Sequence, residues 1–210
     1  MHPYDVLTNQ AAITGSKLEY LEYINKHYFH VCEKSRVLEI GPGQHSDHSK
    51  LIIKNNPSYL ELIEGDSRTI DNLKLINGVN YVLCDDIMIA LQSPKNFDVV
   101  VCFGVLYHLH SPLHLLELIV NNCSPKHILL DSVHAAHPLV FAHEEPNFHG
   151  NVQYRLGWKG SSINFVIPFF IINWALSNMG YTLIKSNNLN IDCFEKSNSW
   201  VGLWKQRETQ

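Results

Sequence analysis

Apolar runs and amphipathic stripes alternate along most of this chain. Leu18, Leu21, Ile24 and Tyr28 recur at helical spacing between Ser16 and Phe29, and Ser16 stands where an N-cap is wanted. Arg36 to Ile40 reads as a strand and Ser46 to Asn55 as a helix. Tyr59 to Ile63 and Asp66 to Ile76 repeat the pair, and Asn77-Gly78 marks a turn. Asn80 to Cys84 is a third strand, followed by a short helix or loop over Ile87 to Gln92. The run Asp98 to Phe103, apolar after its first residue, reads as a strand covered on both faces. Ser111-Pro112 opens a helix carrying Leu115, Leu116, Leu118 and Ile119, and His127 to Val133 is a fifth strand. From His134 to Asn164 periodicity weakens, and a loop of that length is usually functional or holds small elements of its own. Phe169 to Met179 reads as a helix stopped by Gly180. Tyr181 to Lys185 and Ser199 to Lys205 read as two closing strands with no helix between them.

Repeated strand–helix units imply an α/β fold: one doubly wound, mainly parallel, seven-stranded sheet with an antiparallel carboxyl-terminal hairpin. One domain is expected over 1–210, with an amino-terminal helical lid (1–30) and a loop insertion (134–165). Ligands of such sheets bind beyond the carboxyl ends of the strands. Gly41, Gly43, Glu64, Asp85, Asp86, Phe103 and Gly104 all fall at those ends.

Composition narrows the partners. The chain has 210 residues, a net charge of −4 and no basic stripe, so a phosphate backbone is a poor match. Cysteines at 32, 84, 102, 123 and 193 are odd in number and widely spaced, which fits a reducing, cytoplasmic setting better than a disulfide framework. The first residues carry no basic segment followed by an apolar one, and no apolar run approaches membrane length. No membrane association is therefore expected.

The densest chemistry is Glu39-Ile40-Gly41-Pro42-Gly43, an acid and two glycines ending the first strand of the repeat. Glycines without a Cβ let backbone approach a nucleotide-like ligand. A dinucleotide fingerprint would put a third glycine at position 46, which is Ser46, and no Gly-Lys-Ser or Gly-Lys-Thr follows to make a phosphate loop. Those five residues resemble the first motif of class I S-adenosylmethionine-dependent methyltransferases, although His45 stands where many members carry another glycine. The resemblance implies that Glu39, Gly41 and Gly43 approach the amino-acid part of the cofactor. It implies that Glu64 binds the ribose hydroxyls, and that Asp85 or Asp86 lies near the adenine, the other capping a helix. Cys102 to Leu109 resembles the fourth motif, nearest a bacterial subgroup with a Gly-Leu-Leu-Tyr-His-Leu pattern, which brings Phe103 and Gly104 to the cofactor.

For methyl transfer the candidate bases are His108 and His134, each with a structural alternative. Tyr107, His137, His143, Tyr154, Arg155 and Trp158 are candidates for binding a small-molecule acceptor, with oxygen favoured over nitrogen or carbon as the methylated atom. A solvated loop and a small apolar plug are the alternatives for the residues beyond 134. His134, His137, His143, Glu144 and Glu145 do not match a helical metal motif, and no metal is expected. A nucleic-acid methyltransferase would want a basic face and an Asn- or Asp-Pro-Pro-aromatic sequence; a non-catalytic cofactor-binding protein would show no turnover.

Overall fold

A computed structural model describes residues 13–109, 111–133, 139–143, 162–191 and 198–208. Ten strands run in chain order: β1 (Ile13–Gly15), β2 (Arg36–Ile40), β3 (Tyr59–Glu64), β4 (Tyr81–Cys84), β5 (Val99–Cys102), β6 (His127–Val133), β7 (Leu139–His143), β8 (Ser162–Val166), β9 (Tyr181–Ile191) and β10 (Asn198–Gln206). Six α-helices join them: α1 (Lys17–His27), α2 (Asp47–Lys54), α3 (Ile70–Lys74), α4 (Ile87–Ala90), α5 (Pro112–Leu118) and α6 (Phe169–Asn178).

Eight strands form one sheet in the order β1-β9-β10-β6-β5-β2-β3-β4. β2, β3, β4, β5 and β6 pair in parallel, and β10 is antiparallel to both β6 and β9. The seven expected strands are therefore present with the antiparallel hairpin, and β1 adds a short edge, parallel to the tip of β9. β9 runs six residues beyond the expected Lys185. β7 and β8 lie within the span read as a loop and pair antiparallel with each other.

Both faces of the sheet are covered, so strand side chains alternate between two cores. Leu38, Ile40, Val100 and Cys102 pack with α5, α6, Trp200 and Trp204 on one face. Val37, Val99, Val101 and Leu60 pack with Tyr20, Ile24 and Tyr28 of the α1 region on the other. Ser16 caps α1 in a reciprocal box: the Glu19 amide donates to Ser16 Oγ, and the Ser16 amide donates to Glu19 Oε2 at 2.6 Å. Lys17 Nζ lies 2.6 Å from Asp47 Oδ2, which ties α1 to α2. Ser46 does not cap α2 with its side chain; its backbone is left-handed at φ +48°. After Leu118 the helical path widens into a π turn over Ile119–Cys123.

Candidate functional site

Strand order reverses between β2 and β5, and the loops after those strands part there to leave a cleft. The turn after β2 enters it at Gly41 (φ +68°) and Gly43 (φ +67°), conformations that glycine adopts without a Cβ penalty. The two differ in surroundings. A Cβ on Gly41 would stand 2.4 Å from Val105 Cγ2, whereas a Cβ on Gly43 would meet nothing within 4 Å. Gly41 is small because Val105, in the loop after β5, presses on it. Gly43 faces open space.

Beneath the turn, Glu39 is 2 % exposed and accepts a 2.6 Å hydrogen bond from Ser49 Oγ of α2. Burial pushes its carboxyl up to about 7, the nearby Glu64 charge adding to the effect. Glu64, ending β3, accepts from the Gly43 amide through Oε2 and the Asp66 amide through Oε1, each at 2.9 Å. Asp86 caps α4, accepting from the amides of Met88 and Ile89, and Asp85 accepts the Asp86 amide at 2.7 Å. The helix cap of the pair is thus Asp86.

A cavity of about 270 Å³ joins the turn to the ends of β5 and β6, with α1 over it. Gly41, Gly43, Phe103, Gly104 and Tyr107 line it, as do Lys17 and Tyr20 of α1, His48 of α2, and Asp131 and Ser132 of β6. Glu39, Glu64, Asp85 and Asp86 do not line this cavity; they flank it from below and from the β3–β4 side. His108 also stands off it, and burial pushes its imidazole down to about 4. His134, His137, Tyr154, Arg155 and Trp158 lie outside the described residues. His143 ends β7, with backbone opposite Ser162.

Sequence reasoning missed Tyr20, His48 and Asp131, which the fold brings together. The Tyr20 hydroxyl donates to Asp131 Oδ2 at 3.3 Å and lies 3.4 Å from His48 Nε2. The Gly104 amide donates to Asp131 Oδ1 at 2.5 Å. Phe29, Tyr20 and Phe103 enclose the His48 ring, and burial pushes it down to about 4. Burial likewise pushes Asp131 up to about 7 against the pull of its hydrogen bonds. Its signal was available: an acid at the carboxyl end of an apolar parallel strand.

Among the described residues no cluster of His, Cys, Asp and Glu is suited to a metal ion, and no helix is long and apolar enough to cross a membrane.

The sequence profile of a family described as a methyltransferase domain matches residues 18–186. No curated protein matches the sequence. Among solved structures, a Listeria monocytogenes protein assigned as an S-adenosylmethionine-dependent methyltransferase superposes with a TM-score of 0.69 at 10% identity, over 91% of this chain and 100% of that one. The 1,6-didemethyltoxoflavin N1-methyltransferase of Burkholderia thailandensis, with its substrate and S-adenosylhomocysteine bound, gives 0.67 at 13% identity over 98% and 82%. The N-methyltransferase NodS of Bradyrhizobium japonicum gives 0.61 at 16% identity over 91% and 97%. At such identities the likeness is one of fold.

Proposed function

The chain belongs to the methyltransferase-domain family, and on that premise we propose that it transfers the methyl group of S-adenosylmethionine to a small-molecule acceptor, with oxygen the favoured atom. The observation that carries the reading is the half-open cavity, which joins the glycine turn to Gly104 and Tyr107 beside α1. A cleft of this size suits a small molecule far better than a polymer. In this reading α1 and the 134–165 segment act as the lid. The run Gly104-Val105-Leu106-Tyr107-His108-Leu109 supports placing the chain near the bacterial subgroup with that motif.

The residues present fit the donor. A carboxylate offers about four acceptor positions. Glu64 uses two on backbone amides, which leaves two for a pair of ribose hydroxyls and fixes the carboxylate to receive them. Open space over Gly43 admits the amino-acid part, with the Glu39 carboxylate beneath it. Asp86 is committed to its helix cap, so Asp85 is the acid assigned to the adenine side. The donor supplies an electrophilic methyl group, and the chain's part is to hold acceptor and methyl in line. An oxygen acceptor enters with a proton to lose. The cavity offers the Asp131 carboxylate for it, while His108 is both displaced and weakly basic. The four described cysteines are free thiols, which suits the cytoplasm as the compartment.

Titration calorimetry with S-adenosylmethionine and, separately, NAD tests the donor. Binding of the first alone is expected; binding of NAD alone would overturn the proposal. Glu64→Ala is expected to weaken S-adenosylmethionine by about 1–3 kcal/mol, because two hydroxyls lose their acceptor. Wild-type affinity in that variant would remove Glu64 from the site.

A further inference from the structure

Asp131 presents a carboxylate to the cavity, and among the described residues no cation pairs with it. Its oxygens accept from the Gly104 amide and the Tyr20 hydroxyl, and no ion pair from a described lysine, arginine or histidine reaches it. Lys17, which lines the same cavity, is committed to Asp47. Enclosed carboxylates are ordinarily paired or protonated. Resting on the donor assignment above, the missing charge has a source: S-adenosylmethionine carries a sulfonium, and S-adenosylhomocysteine, its product, does not. The sulfur joins the ribose, assigned to Glu64, to the amino-acid part, assigned to Gly41 and Gly43. It therefore lies where the cavity that Asp131 opens into meets the turn.

We infer that Asp131 is the counter-ion of the donor's sulfonium, and that this charge pair makes the chain hold the methyl donor more tightly than the demethylated product. Tyr20 and Gly104 are the positioning groups. Their two hydrogen bonds hold the carboxylate at the end of β6 and link it to α1.

Both ligands share adenosine and the amino acid, and whatever Glu64 and Glu39 add for the donor's charge is common to wild type and variant, so the change of the ratio on substitution isolates Asp131. Among the described residues, the other titratable or charged groups around Asp131 or lining its cavity are Tyr20 and Lys17 on α1, His45 in the turn before α2, His48 and Asp47 on α2, Cys102 on β5, and Tyr107. His48 is held neutral at pH 7 by its depressed pKa, and burial keeps the Cys102 thiol protonated.

Calorimetry of both ligands on wild type, Asp131→Asn and Tyr20→Phe tests the inference. Asp131→Asn is expected to leave S-adenosylhomocysteine binding in place and weaken S-adenosylmethionine about tenfold, the scale of one partly screened charge pair. Tyr20→Phe keeps the charge and is expected to keep the preference, even where both affinities fall. A common factor for both ligands in Asp131→Asn, or an unchanged ratio, would overturn the inference. If a thermal melt shows that Asp131→Asn does not fold, the ratio is read from pH 8 to 5.5 in Glu39→Gln instead, which removes the other cleft acid pushed up to about 7. It should fall about tenfold as Asp131 takes up a proton; a level ratio would overturn the inference. A wild type that binds neither ligand would overturn the donor assignment, and this inference with it.

Discussion

Gly41 and Gly43 share a left-handed backbone but not a reason for it, and substitution separates the reasons. In Gly41→Ala the new methyl meets Val105, a core residue with little room to yield, in addition to the cost of positive φ. A loss on the order of 1–3 kcal/mol is expected. For a chain of this length that lowers the thermal midpoint by roughly 2–4 °C per kcal/mol. Gly43→Ala meets only the conformational cost and should melt higher than Gly41→Ala while binding the donor less well. Equal melting points for the two would show that Val105 moves aside. At this scale the sequence was legible wherever chemistry came as a spaced pattern, as in Glu39 to Gly43. Tyr20, His48 and Asp131 are single polar residues in otherwise unremarked helix and strand, and only the fold gives them a common address.

Strands were readable where both faces are buried, because unbroken apolar runs such as Val99 to Cys102 have few other uses. The second half of β9 was not. Its run of polar residues hides a tertiary role for one of them: Asn187 Oδ1 accepts from the hydroxyls of Tyr23 and Tyr28, at 2.9 and 2.8 Å. Those bonds fasten the α1 region to the sheet. The short β1 and the β7–β8 pair carry too little periodicity to separate from loop. β10 shows how tightly one element can fix another. Trp200 and Trp204 pack around Phe169 of α6, and the Trp204 ring lies across Gly202, where a Cβ would stand 2.4 Å from Cη2. Gly202→Ala is expected to destabilise by about 1–3 kcal/mol, since a fully buried indole must shift. Urea unfolding measures it; a loss below about 0.5 kcal/mol, the scale of an ordinary surface change, would mean that the ring moves freely.

Across the molecule, the groups near the cleft set opposing responses to pH. Glu39 is pushed up from 4.5 to about 7, so folding favours its protonated form. That penalty on the folded state is absent below pH 4.5, grows as pH rises and is complete above 7. His48 and His108, pushed down to about 4, act in the other sense: their cost is present below pH 4 and disappears as pH rises through 6.5. Asp131 is pushed the same way, so Glu39→Gln removes one of two acids on that side of the balance and can still accept from Ser49. Its stability relative to wild type is expected to be higher at pH 8 than at pH 5 by more than about 1 kcal/mol, since one pKa unit is worth about 1.4 kcal/mol. Paired unfolding curves at the two values check it. An identical difference at both would mean that Glu39 ionises as an ordinary surface acid. The same variant should bind the donor less well, which makes the buried acid a cost in stability kept for the site.

The sheet's outer edge also sets an order of events. Ile13 to Gly15 pair with Leu189 to Ile191, some 175 positions further along, and the α1 region is fastened by Asn187 of that same late strand. During synthesis the glycine turn and its acids can form long before those partners exist. The roof cannot settle until the last hairpin has been made. Contacts so distant in the chain close slowly. Among the described elements, the roof over the cleft therefore depends on contacts made after those of its floor.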